Sequence, residues 1–225
     1  MSEHKEEEAF EAFVDIIAKL RGENGCPWDK EQTFESLKPC MINEMTEALA
    51  GIDLYTQTGN TENLCEELGD VMMQVAFHAQ IEQEAGHFTF DEVCDGVCRK
   101  LIARHPHIFG GDDSIKDWDS LKNKEKGRLT LADDLESVPK ALPALMRAAK
   151  LQKRAARYGV AVRDTAAEIT AAAAVVEAAP DKPAAEQAMG QLLFAAAALA
   201  RSVGIDPEQA LQQYNAAFTA NHKNS

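Results

Sequence analysis

Four carboxylates stand out by their spacing. Glu44 and Glu47 are three residues apart, and so are Glu67 and Asp70. On a helix, side chains three apart project from one face about one turn from each other, so each pair presents two carboxylates together. Two such pairs brought face to face would repel one another and resist ionisation, and a hard divalent cation that prefers oxygen relieves both problems. Magnesium is the natural occupant, with manganese as a substitute. A cation held there neutralises charge and can activate a bound water. An isolated Glu-x-x-Glu pair is more often a solvated helix face, and Glu62 and Glu66 fit that description. Gly69 argues for more here. It sits beside Asp70 among Leu68, Val71, Met72 and Val75, and an interior helical glycine costs about 1 kcal/mol relative to alanine. Close approach of another backbone or of a ligand would justify it.

The elements that must position these groups are helices. Phe10, Phe13, Val14, Ile17 and Leu20 predict a helix over 6–20, broken by the Gly22 to Asp29 stretch with Gly25 and Pro27. A second helix runs from Thr33 or Ser36 to Tyr55 and ends at the turn around Gly59. A third runs from Asn60 or Thr61 towards Glu84 and stops at Gly86. A fourth spans Asp91 to Arg104 and closes at Pro106. No segment alternates with period two, so the fold class is all-α. The short connection at Gly59 makes the second and third helices antiparallel neighbours, which brings the four carboxylates to one level when the register allows. Lys100 and Arg104, at i and i+4, share a face of the fourth helix. They are either a phosphate grip, with the arginine bidentate, or a solvated basic edge.

The composition shifts to alanine-rich helices from Pro139, which divides the chain into domains 1–136 and 137–225. The second domain reads as a copy of the first. Glu66 to Val71 lies against Gln187 to Leu192, and Lys100 to His105 against Ala217 to His222. The apolar scaffold persists while the charges disappear, so folding does not require Glu67, Asp70, Lys100 or Arg104. Accidental similarity between two helical domains is the alternative. The charge is as uneven as the motifs: 30 acidic against 13 basic residues lie before Ser137, and 7 against 10 from there on. A net charge of -14 argues against a nucleic-acid partner. The five cysteines include no Cys-x-x-Cys and follow no signal peptide, which predicts a reducing, cytoplasmic setting. No apolar run is long enough to span a membrane. Apolar faces on the two helical hairpins favour a homodimer, unless the second domain covers the first within one chain.

The motifs resemble those of MazG proteins in order and spacing. They are Cys26-Pro27-Trp28-Asp29-Lys30-Glu31-Gln32-Thr33, Ser36-Leu37-Lys38-Pro39, Glu44-x-x-Glu47, Glu66-Glu67-Leu68-Gly69-Asp70 and Arg104-His105-Pro106-His107-Ile108-Phe109. The likeness covers most of residues 20–128. Pro139 to Leu145 and Gln152 to Ala155 resemble the family's connector to a second domain. The resemblance implies tandem four-helix-type domains, the first catalytic and the second degenerate, with a structural or dimerisation role. It implies a dimeric, magnesium-dependent enzyme of nucleotide-pool house-cleaning that cleaves nucleoside triphosphates to the monophosphate and pyrophosphate. The metal ligands carried over are Glu44, Glu47, Glu67 and Asp70, and Glu47 or Glu67 is the candidate base. Lys100, Arg104 and Lys122 become phosphate contacts. Trp118 is either a base-stacking ring or a packing anchor, and Trp28 and Asp29 are either base or ribose contacts or loop packing and capping.

Two departures stand out. Asn43 occupies a position that is usually a further glutamate. In the second copy Ala174, Glu177, Ala188 and Gln191 stand where the metal ligands would be. These departures leave one alternative, a catalytically impaired helical dimer that binds nucleotide or a protein partner without turnover. A diiron bundle needs two Glu-x-x-His motifs, and only Glu84 to His87 fits, across Gly86. His105 and His107 lack the further ligand a zinc site requires.

Overall fold

The computed structural model describes residues 3–110, 130–162 and 165–222, and every regular element among them is an α-helix. The centre of the first unit is a helical hairpin that local chemistry delimits at both ends. Thr33 starts α3, Phe34–Thr58, through a reciprocal cap. The Ser36 amide donates to Thr33 Oγ1 at 3.2 Å, and the Thr33 amide donates to Ser36 Oγ at 2.8 Å. Gly59, at φ 74°, ends it in the left-handed conformation that glycine tolerates best. After two further residues α4, Glu62–Glu84, returns antiparallel. Its register shows at three levels: Gly51 lies against Asn63 and Leu64, Glu44 against Glu67 and Asp70, and the Phe34 ring is 5.4 Å from His78.

Two further helices pack on α4: α1, Glu3–Arg21, and α5, Phe90–Arg104, the latter begun by the Thr89/Glu92 capping box. The core they share joins Ile17, Leu37, Ala76, Phe77 and Phe90, with Phe13, Val14 and Met73 against it. It therefore fills the end of the hairpin remote from Gly59, and the carboxylates sit between core and turn. Two short helices add to the sequence expectation: α2, Pro27–Glu31, with Pro27 in its first turn, and α6, Pro106–Phe109.

The second unit comprises α7, Leu131–Glu136; α8, Ala144–Arg157; α9, Ala166–Glu177; α10, Lys182–Ser202; and α11, Pro207–Asn221. Helices α9 and α10 form a hairpin, and α8 packs on α7, α10 and α11. Alanine lets the backbones approach, and Ala148, Ala188, Ala195, Ala197 and Ala198 are buried. Asp134 is fully buried, with Arg154 at 3.1 Å and Arg157 at 3.7 Å, which fastens α7 to α8. Because α7 packs here, the division into compact units falls ahead of Ser137. A turn with left-handed Gly86 leads from α4 into α5, and one with left-handed Gly204 leads from α10 into α11; α5 and α11 are both 15 residues long. No single helix among the described residues is long and apolar enough to cross a membrane.

Candidate functional site

One carboxylate oxygen each from Glu44, Glu67 and Asp70 lies within 4.8 Å of the others. The hairpin register produces this. Gly51 is the close crossing of α3 over α4, where an added Cβ would stand 3.2 Å from Asn63 Oδ1, 3.4 Å from Leu64 Cα and 3.6 Å from Glu67 Cγ. Two turns away the same faces bring Glu44 over Asp70. Among the described residues no other trio of His, Cys, Asp or Glu side chains comes this close. The donor set is all hard oxygen, and oxygens this near one another suit a hard divalent cation.

The local electrostatics agree with that fit. Partial burial, followed by the charges of Glu47 and Asp70, a hydrogen bond with Glu47 and the charge of Glu67, holds the Glu44 carboxyl above its ordinary range. Glu47 is exposed and outside the trio; it accepts the Asn43 amide at 3.0 Å. Asn43, which the sequence marks as a departure, is thus a hydrogen-bond donor to one of the four carboxylates. Glu67 accepts from Asn63 Nδ2 at 2.9 Å. Sequence reasoning overlooked both Asn63, four residues before Glu67 on the same face, and Gly51. It placed the close approach at Gly69, where the structure has nothing within 4 Å of an added Cβ.

The other expected residues are scattered by environment. Trp28 is 60% exposed on α2, whereas Asp29 beside it is buried. The loop carrying both is tied down by Arg21, whose Nη1 donates to the Asp29 carbonyl at 2.6 Å and the Gln32 carbonyl at 3.2 Å. Its Nε and Nη2 grip the Glu84 carboxylate at 2.9 and 2.8 Å. Nothing in the motif pattern pointed to Arg21. Lys100 is exposed, but Arg104, one turn on, is only 8% exposed, so the two do not form a uniform basic edge. Trp118 and Lys122 lie outside the described residues. His105 closes α5, with Nδ1 2.7 Å from the Leu101 carbonyl, and its ring lies 5.7 Å from that of His107.

In the second unit the positions aligned with Glu67 and Asp70 are Ala188, buried, and Gln191. Gln191 and Gly190 line an open cavity of about 880 Å³ with Leu151, Val175 and Phe194. Apolar surface stands where the first hairpin gathers acid.

Comparisons with known proteins point to one family. A family model described as the MazG nucleotide pyrophosphohydrolase domain matches residues 32–109, from the cap of α3 to the end of α6. A Thermotoga maritima protein named nucleoside triphosphate pyrophosphohydrolase/pyrophosphatase MazG is 38% identical over 219 residues, 95% of this chain and 84% of that protein. An Escherichia coli protein named nucleoside triphosphate pyrophosphohydrolase is 37% identical over 223 residues, 92% of this chain and 82% of its own. The uncharacterized protein YabN of Bacillus subtilis is 47% identical over 150 residues, 64% of this chain; the match spans only 30% of that longer protein. The region that the family model matches contains the α3–α4 hairpin and its three converging carboxylates. The chain belongs to the MazG family.

Proposed function

We propose that this chain hydrolyses nucleoside triphosphates to the monophosphate and pyrophosphate, using a magnesium ion held by Glu44, Glu67 and Asp70, with Glu47 at its edge. The convergence of three carboxylates across the α3–α4 crossing carries the reading, and the names of the relatives give it a substrate class. Bound there, the cation supplies charge neutralisation for the phosphates and lowers the pKa of water. The protein's own groups do the rest. Glu47, outside the tight trio, is the better placed of the two candidate bases, and the Asn43 amide fixes its orientation. Asn63 holds Glu67. Lys100, exposed on α5, meets the phosphates, and Arg104 beside it supports that end of the helix. Trp28, with most of its ring in solvent, offers a stacking face for a base.

The matched turns and equal lengths of α5 and α11 support a tandem repeat whose second copy has lost its acid and serves assembly. Assembly as a homodimer is supported by the flank of α3, where Ile42, Met45, Leu49 and Ile52 form an exposed apolar stripe beside the side turned to α4. The free thiols of all five cysteines suit a reducing cytoplasm.

The test is a panel of ribo- and deoxynucleoside triphosphates incubated with Mg²⁺ or with EDTA. Metal-dependent formation of monophosphate and pyrophosphate is the expected outcome. Nucleotide binding without turnover on any substrate would favour the non-catalytic dimer instead.

A further inference from the structure

Gln74 is 5% exposed, and its buried Oε1 has no hydrogen-bond partner among the described residues. Its backbone is ordinary helix, with the carbonyl accepting from His78 Nδ1 at 2.7 Å. A buried amide oxygen without a partner is costly to keep, and an apolar side chain of the same shape removes the cost. Its position on α4 gives the reason for keeping it. At about 100° per residue, Gln74 falls on the helix face between Glu67 and Asp70, about 6 Å along the axis beyond Asp70. Glu67 before it and His78 after it both face α3, against Gly51 and Phe34. Gln74 between them therefore underlies the carboxylate trio, at the boundary where acid gives way to the core of Leu37 and Phe77.

We infer that Gln74 is a positioning residue of the cation site, its amide serving as the hydrogen-bond partner of a hydration water that a divalent cation brings to Glu44, Glu67 and Asp70. The inference rests on the cation reading of that trio. It explains why a polar group stays in an apolar layer: its partner enters with the ion. Groups that hold the outer shell of a metal site tune its affinity even though they never touch the ion.

The test uses the full chain and Mn²⁺ alone. Wild type, Gln74→Met, Gln74→Glu and Glu67→Ala are titrated with Mn²⁺ by calorimetry and by water-proton relaxation, and each metal-free protein is melted. Gln74→Met should melt higher than wild type without metal, bind Mn²⁺ about tenfold more weakly and change the relaxation of the bound ion's water. Gln74→Glu, which restores an acceptor, should recover the affinity. Wild-type Mn²⁺ affinity in Gln74→Met, or a lower metal-free melting temperature in that variant, would overturn the inference while leaving the trio standing. No Mn²⁺ uptake by wild type, or undiminished uptake by Glu67→Ala, would overturn the reading of the trio and this inference with it.

Discussion

At the scale of single residues, the two glycines of the hairpin make opposite predictions. An added Cβ at Gly51 crowds Asn63 Oδ1 at 3.2 Å and touches the Leu64 backbone, so the larger valine must part the helices, whereas one at Gly69 meets nothing. Gly69→Ala should therefore stabilise the protein by about 0.5–1 kcal/mol through helix propensity. Gly51→Val should destabilise it by about 2 kcal/mol and weaken cation binding by parting α3 from α4. Urea melts of both variants check the pair, and a loss on Gly69→Ala would mean that a second body lies against that glycine. Glu44 gives a pH prediction. Its folded carboxyl ionises above the ordinary glutamate range of about 4.3, so in the metal-free protein its ionisation costs stability. That cost is absent at low pH, grows as pH rises past the ordinary value and is complete above the raised one. Protons and Mn²⁺ compete for the same oxygens, and Mn²⁺ affinity should begin to fall above the ordinary glutamate range as the solution is acidified. Affinity unchanged down to that range would contradict the crowding seen around Glu44.

At the scale of elements, Arg21 decides where Trp28 sits. It joins α1, the α2 loop and the end of α4 in one set of hydrogen bonds, and the guanidinium is nearly buried. Arg21→Met should cost about 1–3 kcal/mol and raise KM more than it lowers kcat if the loop positions the base. Hydrogen bonds from Arg21, ahead of the bond from Gln80 and the Arg21 charge, keep the Glu84 carboxyl below its usual range although partial burial opposes them. The stability they confer is present above the ordinary glutamate pKa and is lost as pH falls through the depressed value. Trp28 fluorescence, read in a Trp118→Phe background, should report the loop loosening over that acid window. The helices themselves were legible in the sequence, because apolar periodicity and the stops at Gly59 and Gly86 are local signals. Arg21 was not, since its partner Glu84 is 63 residues away and nothing local announces the contact. The carboxylate pairs were legible as spacing. Which three of the four would converge was set by the crossing at Gly51, a register that only packing determines.

At the scale of the whole molecule, carboxylates gather in the first unit and alanine fills the core of the second. The second unit depends on Asp134, which is fully buried against Arg154 and Arg157. Asp134→Ala removes the buried carboxylate that Arg154 and Arg157 approach and should cost about 3–5 kcal/mol, read as an earlier transition confined to that unit in a thermal melt. Should assembly run through the second unit, the same variant would shift the sedimentation coefficient towards monomer. A double substitution, Ala188→Glu with Gln191→Asp, should create no second hydrolytic site, because the cavity around Gln191 offers a single carboxylate, Glu168, among walls that include Leu151, Val175 and Phe194.

The proposed reaction depends on the acid of the first unit. The most direct measurement is the rate of pyrophosphate release from a nucleoside triphosphate at saturating Mg²⁺, for wild type beside Glu67→Gln, with the fold of each checked by circular dichroism. A folded variant slowed by at least about a hundredfold is expected, a loss of roughly 2.7 kcal/mol of transition-state stabilisation. Release at the wild-type rate from a folded Glu67→Gln protein would contradict it and move the chemistry away from this hairpin.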